Sequence, residues 1–245
     1  MATENMQTAL KSPTVAVAAV GNDVYVIGGR RRLSPYHTRK VDVFNTQSRT
    51  WRSGPDLLAG ISLTRAVAVG TKIYVAGGSA VVGSSTTKSM ARVYVLDTGT
   101  GTWTGLDEGP HWMDNHEIAV VGGELLVFGG NNAVSSNKMQ HLNLGDQTWS
   151  MDTVQMPHPF VTEDAYHQSM SLVGVGPKLW VIGGSDSLGA NDIAERAVYI
   201  YDPAAKTYTA GPGLPAPSSS NESALVDGRI FVFDKDTKKI WAHTL

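Results

Sequence analysis

An all-β chain assembled from repeated four-stranded sheets is predicted by three observations. Four double glycines close apolar runs, at VYVIGG (Gly28, Gly29), IYVAGG (Gly77, Gly78), LLVFGG (Gly129, Gly130) and LWVIGG (Gly183, Gly184), spaced 49, 52 and 54 residues apart. A self-similar period of this length marks a repeat architecture. In phase with it, Thr followed by an aromatic recurs as Thr50-Trp51, Thr102-Trp103, Thr148-Trp149 and Thr207-Tyr208. No stretch shows helical periodicity, whereas short runs rich in Val, Ile and Tyr alternate with polar turns.

Each period parses into two hairpins. AVAAV-GND-VYVI and AVAV-GTK-IYVA read as two strands joined by a tight turn. KVDVFNTQSRTW and RVYVLDTGTGTW supply the second pair. Glycine lets the backbone turn or be approached where a side chain would clash, and the aromatic offers the apolar area that packs one blade on the next. Four such blades are expected at about 14–58, 62–108, 115–156 and 165–215. The remaining segment, 220–245, opens with a hairpin, ALV-DG-RIFVF, replaces the glycine pair by Asp234-Lys235, and ends on IWAHTL. It is one strand short. Residues 3–12, with Met6 to Leu10 as the apolar candidate, are free to provide that strand. The expectation is a single five-bladed β-propeller domain over 1–245, its last blade closed by N- and C-terminal strands. Completion through a second chain is the alternative.

On these residues the chain resembles the kelch-repeat family, whose blades carry a double glycine and a spaced aromatic pair. Tyr25 with Trp51, and Tyr74 with Trp103, stand at the matching places. The resemblance covers nearly the whole chain and implies the fold. It does not imply an activity, since one fold hosts many functions.

Composition narrows the classes. The formal charge is −2 and the basic residues do not interleave with aromatics, so no nucleic-acid partner is expected. No apolar run is long enough to span a membrane, and the N-terminus lacks a secretory signal, so a cytoplasmic, monomeric protein is expected, with a protein partner left open. Cysteine is absent, which excludes disulfides and thiolate chemistry.

Loops that follow the double glycines share a rim with the residues opening each inner strand, and loops on a rigid scaffold carry function. The turns NTQSR, DTGTG, LGDQ, DPAAK and DKDTKK belong to the opposite face and read as structural. Alignment on the glycine pairs, with two extra residues allowed at Gly176-Pro177, gives a column near the propeller axis of Ala16, Arg65, Glu117, Ser169 and Glu222. One step outward lie Val15, Thr64, His116, Gln168 and Asn221, beside Asn115 and His167; two steps deeper the column is small, at Ala18, Val67, Ala119, Ser171 and Ala224. A polar mouth over a tight throat suits a small-molecule ligand. His116, Glu117, Arg65, Glu222 and His167 are the candidate catalytic residues, with carboxylate and imidazole as acid and base and arginine as anion clamp. Arg30, Tyr36, Asn115, Asn131, Ser185, Gln168 and Asn221 are candidate ligand contacts. Arg65 between Glu117 and Glu222 reads equally as a self-satisfied ion-pair plug.

The cluster HWMDNHE has no metal-ligand spacing, so neither a metal nor another cofactor is expected. Iron-dependent nitrile-specifier proteins share the architecture, yet their acidic-and-His spacing is not evident; galactose oxidase requires a cysteine that is missing. No phosphate loop or nucleophile elbow is present. Two classes therefore stand: an acid–base isomerase, cyclase or lyase acting on a small molecule, or a module presenting its rim to a peptide, with glycan binding a smaller third. Deleting residues 2–10 should lower the melting temperature of the whole chain; unchanged cooperative melting of that truncation refutes the proposed closure.

Overall fold

The computed structural model describes residues 14–31, 36–82, 86–130, 137–157, 166–188 and 191–245, and no helix occurs among them. Residues 3–12, expected to close the last blade, lie outside the described residues. The chain sorts into two compact units, Met1–Asp114 and Asn115–Leu245.

The first unit contains two antiparallel four-stranded sheets. Ala16–Val20, Asp23–Ile27, Val41–Asn45 and Thr50–Ser53 lie side by side in chain order, as do Arg65–Val69, Lys72–Ala76, Val93–Asp97 and Thr102–Gly105. One apolar cluster joins them, with Ile27, Val43, Leu57 and Ile61 meeting Ile73, Val75 and Leu96. The second unit repeats the pattern in Glu117–Val121, Glu124–Phe128, Lys138–Asn143 and Trp149–Gln155, then in Ser171–Val175, Lys178–Ile182, Val198–Asp202 and Thr207–Ala210. A three-stranded sheet follows, Asn221–Val226, Arg229–Asp234 and Lys239–Thr244. These are the four full blades and the incomplete fifth that the repeats predict.

The inner hairpins share one register. Ala16 faces Ile27, Arg65 faces Ala76, Glu117 faces Phe128, Ser171 faces Ile182 and Glu222 faces Phe233. Every pair is eleven residues apart, so the fourth blade has no insertion at Gly176-Pro177. Ser171, not Ser169, holds the column position, and Val173 takes the deeper one. Ser169 instead has a φ of 57°, alongside Leu63 at 55° and Asn115 at 54°, each two residues ahead of its inner strand.

Two long connections expected as loops are hairpins. Ser79–Val82 pairs with Thr86–Ser89, and Ile61–Ser62 adds to their edge. Ser185–Leu188 pairs with Asn191–Ala194, and Tyr166–Gln168 adds in the same way. Both extend beyond a glycine pair, where Val, Thr and Ile continue the strand signal after the backbone has turned.

The double glycines perform the linkage. Gly28 has a φ of 68° and Gly29 of 105°, and a Cβ on Gly28 would lie 2.6 Å from the Ile61 carbonyl oxygen. The freed space lets Gly29 N–H donate to Ile61 O at 2.8 Å, as Gly78 N–H does to Met113 O at 2.8 Å and Gly184 N–H to Ser218 O at 3.2 Å. Each of these carbonyls belongs to the segment feeding the next blade. The turns on the opposite face are capped as their composition predicts, with Asn45, Asp97, Asn143 and Asp202 side chains accepting from the backbone two residues on. DKDTKK departs from the expectation: it joins the second and third strands of the last sheet and therefore lies at the rim end. Asp234, fully buried at the glycine position, organises it through Ser218, Asp236 and Thr237.

The aromatic marker packs blade on blade. Trp103 is 8% exposed and its indole N–H donates to the Pro55 carbonyl at 2.9 Å, in the connection that leaves the first blade. Replacing a buried Trp by Ala removes apolar area and leaves a cavity, costing about 3–5 kcal/mol. Trp103→Ala is expected to show that loss in denaturant unfolding, with Trp51→Ala, at a half-buried position, costing less.

Candidate functional site

In the first unit, the rim groups gather around His37. Arg30 forms an isolated bridge with it, and its Nδ1 lies 2.9 Å from Ser62 Oγ. Burial depresses the His37 pKa, the Arg30 charge adds to that, and a backbone hydrogen bond at Ser79 opposes it. The imidazole is therefore neutral at physiological pH, and its Nδ1 shares a hydrogen bond with Ser62 Oγ. Arg30 is exposed and Tyr36 is 50% exposed. Arg65 follows Ser62 by three residues, opens its inner strand partly exposed, and directs Nη1 at the Thr64 carbonyl at 3.3 Å. Thr64 is fully buried and spends its hydroxyl on Ala76 O at 2.7 Å.

The second unit disperses the remaining candidates. His116 is 0% exposed, and Asn221 is 1% exposed, with its amide against Gly183. Both stand at the register position of Thr64 in the second blade, one residue ahead of the column position, and all three are buried. Glu117 opens its inner strand partly exposed, two residues after Asn115. Glu222 is exposed and its carboxylate meets Lys235 Nζ of the same sheet at 2.7 Å, a pair of small energetic weight. Ser185 is 8% exposed and pairs with Gln168 and Ala194 in the rim sheet. His167 and Gln168 occupy the adjacent rim strand, and Asn131 lies outside the described residues. Ser171, which replaces Ser169 in the column, is 5% exposed and hydrogen-bonds Ser223. Among the described residues, no group of three or more His, Asp or Glu side chains is placed to hold a metal ion.

The strongest electrostatic cluster lies elsewhere, on residues that the sequence reading did not single out. His141 Nδ1 meets Glu124 Oε2 at 3.0 Å, and Nε2 meets Asp152 Oδ1 at 3.2 Å. Tyr201 OH donates to Asp152 Oδ2 and lies 3.1 Å from His141 Nε2. Lys206 Nζ reaches Asp152 Oδ1 at 3.1 Å, and Tyr208 stacks on Tyr201 with ring centroids 4.6 Å apart. Glu124, His141 and Asp152 belong to the third blade, and the two tyrosines and Lys206 to the fourth. Burial would lower the His141 pKa, but hydrogen bonds and charges from Asp152 and Glu124 outweigh it and raise the pKa. Burial would raise that of Asp152, but His141, Tyr201 and Lys206 outweigh it and lower it. Burial and Asp152 together hold the Tyr201 phenol protonated. A histidine held by two carboxylates that favour its protonated form makes a clamp between these blades. One sequence signal pointed here: His141 occupies the place held by Val43, Val95 and Ile200 in the other blades.

His141 has a raised folded pKa, so its contribution is complete below the ordinary value of 6.5 and is lost as pH rises through the raised value. Asp152 has a depressed pKa, so its contribution is present above 3.8 and lost as pH falls through the lowered value. Urea unfolding across pH should therefore give a maximum between those limits, and His141→Gln should flatten the alkaline side.

Residues 14–233 match the KLHDC2/KLHL20/DRC7 Kelch-repeats domain. N-(sulfonatooxy)prop-2-enimidothioate sulfolyase of Thlaspi arvense is 29% identical over 221 residues, covering 79% of this chain and 60% of that protein. An F-box/kelch-repeat protein of Arabidopsis thaliana is 32% identical over 114 residues, 45% of this chain and 28% of its own. Human Kelch repeat and BTB domain-containing protein 12 is 22% identical over 82% of this chain and 34% of its own. The chain thus spans less than two thirds of each of these curated relatives. The solved structure of YjhT superposes with a TM-score of 0.67 at 15% identity, covering 91% of this chain and 73% of that one. With its glycine-linked four-stranded blades and a family match across residues 14–233, the chain belongs to the kelch-repeat family and has the all-β propeller fold of that family.

Proposed function

We propose that this chain binds an anionic small molecule at its rim and acts on it as a lyase. The similarity to the Thlaspi arvense sulfolyase carries this reading, because it joins 29% identity to 79% of the chain, against 22% identity over 82% for the human BTB relative and 32% identity over 45% for the F-box relative. The substrate in that relative's name has a sulfonatooxy group on nitrogen. Loss of sulfate from it breaks the N–O bond, and negative charge collects on the departing oxygen. A guanidinium stabilises that charge with short, charge-assisted hydrogen bonds. Arg30 and Arg65, on the segments joined by the His37–Ser62 contact, are the groups of the first unit suited to this task. His37, kept neutral by burial and by Arg30, is suited to accept a proton. Glu117 of the second unit remains a candidate acid or base.

The test is sulfate release from N-(sulfonatooxy)prop-2-enimidothioate, measured by ion chromatography against the protein-free reaction. The intact chain should exceed that background, and Arg65→Ala should lower the excess by about 10²-fold, the order seen when one oxyanion donor is removed. Arg30→Ala should weaken substrate binding, with the melting temperature unchanged in both variants. Release at the background rate would overturn the lyase reading. The F-box and BTB relatives favour a second one, in which the same arginines hold an acidic peptide; saturable binding of such a peptide without sulfate release would select it.

A further inference from the structure

The first two blades carry the same side-chain tie at matching places. In the first, Thr38 N–H donates to Gly29 O at 3.0 Å and Ile61 N–H to Thr38 O at 3.3 Å. In the second, Met90 N–H donates to Gly78 O at 2.8 Å and Met113 N–H to Met90 O at 3.1 Å. His37 therefore matches Ser89, and Ser62 matches Asp114. Each pair is hydrogen-bonded: His37 Nδ1 with Ser62 Oγ at 2.9 Å, and Ser89 Oγ to Asp114 Oδ2 at 2.7 Å. The chemistry differs, but the link is the same, from the strand returning along the rim to the segment that feeds the next blade. In the fourth blade Glu195 and Ser218 mark the corresponding place. There Ala194 has no polar side chain, and Ser219 bonds Asp236 instead.

The first of these ties lies between the segments that carry the two rim arginines. Arg30 bridges His37 across its loop, and Ser62 precedes Arg65 by three residues. Gly60 lets the segments meet, since a Cβ there would lie 2.6 Å from the His37 carbonyl oxygen. Ser62 and His37 are both buried, so water has little access to their bond, and leaving it unmade would be costly. Ser62 also pairs in register with Ser79, whose backbone hydrogen-bonds His37. His37 is thereby held from the linker and from the rim hairpin of the second blade. Neutral in this place, it sets no second positive charge beside Arg30.

We propose that Ser62 is a positioning residue of the rim anion site: by holding His37 it fixes the strand end that carries Arg30 against the segment that carries Arg65, so that the two guanidinium groups share one anion. Ser62 itself touches no ligand and acts through His37. The inference rests on the assignment of an anion to Arg30 and Arg65. Guanidinium groups held in place before the anion arrives bind it without the cost of ordering them. Removing the Ser62 hydroxyl leaves both arginines and their charges present, so a loss of affinity reports their placement and not their number.

The test is titration of the full chain with inorganic sulfate by calorimetry at constant ionic strength. Ser62→Ala is expected to weaken sulfate binding about fivefold or more, and the double variant with His37→Ala no further than the stronger single one, because the two residues act as a unit. Ser89→Ala, which removes the matching tie one blade on, should leave the affinity unchanged. Ser62→Cys, which fills similar space and hydrogen-bonds weakly, takes the place of the alanine variant if that one does not fold. Four results would each overturn the proposal: intact affinity in the Ser62 variant, losses that multiply in the double variant, equal weakening by Ser89→Ala, or no sulfate binding by the unaltered chain. Sulfate binding that depends on Ser62, in a chain that releases no sulfate from N-(sulfonatooxy)prop-2-enimidothioate, would remove the lyase reading and keep this one.

Discussion

One recurring backbone hydrogen bond organises this protein: in three of the four glycine pairs the second glycine donates to a carbonyl in the segment that feeds the next blade. It forms at Gly29 to Ile61, Gly78 to Met113 and Gly184 to Ser218. At the first pair the approach is possible because a Cβ on Gly28 would fall 2.6 Å from the Ile61 carbonyl oxygen of that segment. Once the connection is held there, the inner strand must begin at a set distance, which gives the eleven-residue register common to all five inner hairpins. The fourth-strand aromatic then has a fixed surface to pack on, as Trp103 does on the connection at Pro55. Packing density leaves little freedom in how such elements meet, so the pattern propagates from blade to blade.

Charge is distributed according to the same geometry. Positions one residue ahead of the column, at Thr64, His116 and Asn221, are buried, with Thr64 bonded to backbone. Positions one residue further on, at Arg65 and Glu117, remain partly exposed, and Arg30 projects from the strand end just past its own pair. Rim chemistry can therefore vary without disturbing the linkage, in keeping with a scaffold on which loops carry function. The His141 cluster follows the opposite logic. It lies between the third and fourth blades, its imidazole is held by two carboxylates, and truncating one member of such a buried set leaves an uncompensated charge. It serves cohesion between those blades.

The incomplete last sheet shows the same principles in a place where one of them is missing. Asp234 stands in for the first glycine and replaces backbone freedom by side-chain hydrogen bonds to Ser218, Asp236 and Thr237.

The sequence by itself determined the repeat, the strand count of each blade, the place of the glycine pairs and the turn chemistry of the outer face. Those features are local: a double glycine, a Thr-aromatic pair and an Asx turn each act within a few residues and recur in phase. It also placed Arg30, Tyr36, Arg65 and Glu117 at the ends of strands where side chains reach solvent. Tertiary structure alone decided which neighbours of those residues are buried, because His116 and Asn221 differ from them by one position in a period-two strand. It decided that two long connections are hairpins, and it assembled Glu124, His141, Asp152, Tyr201 and Lys206 from two blades. Apart from His141 in a place otherwise held by Val or Ile, no local pattern encodes that cluster, since its contacts join residues as far as 60 apart and form only when the sheets pack.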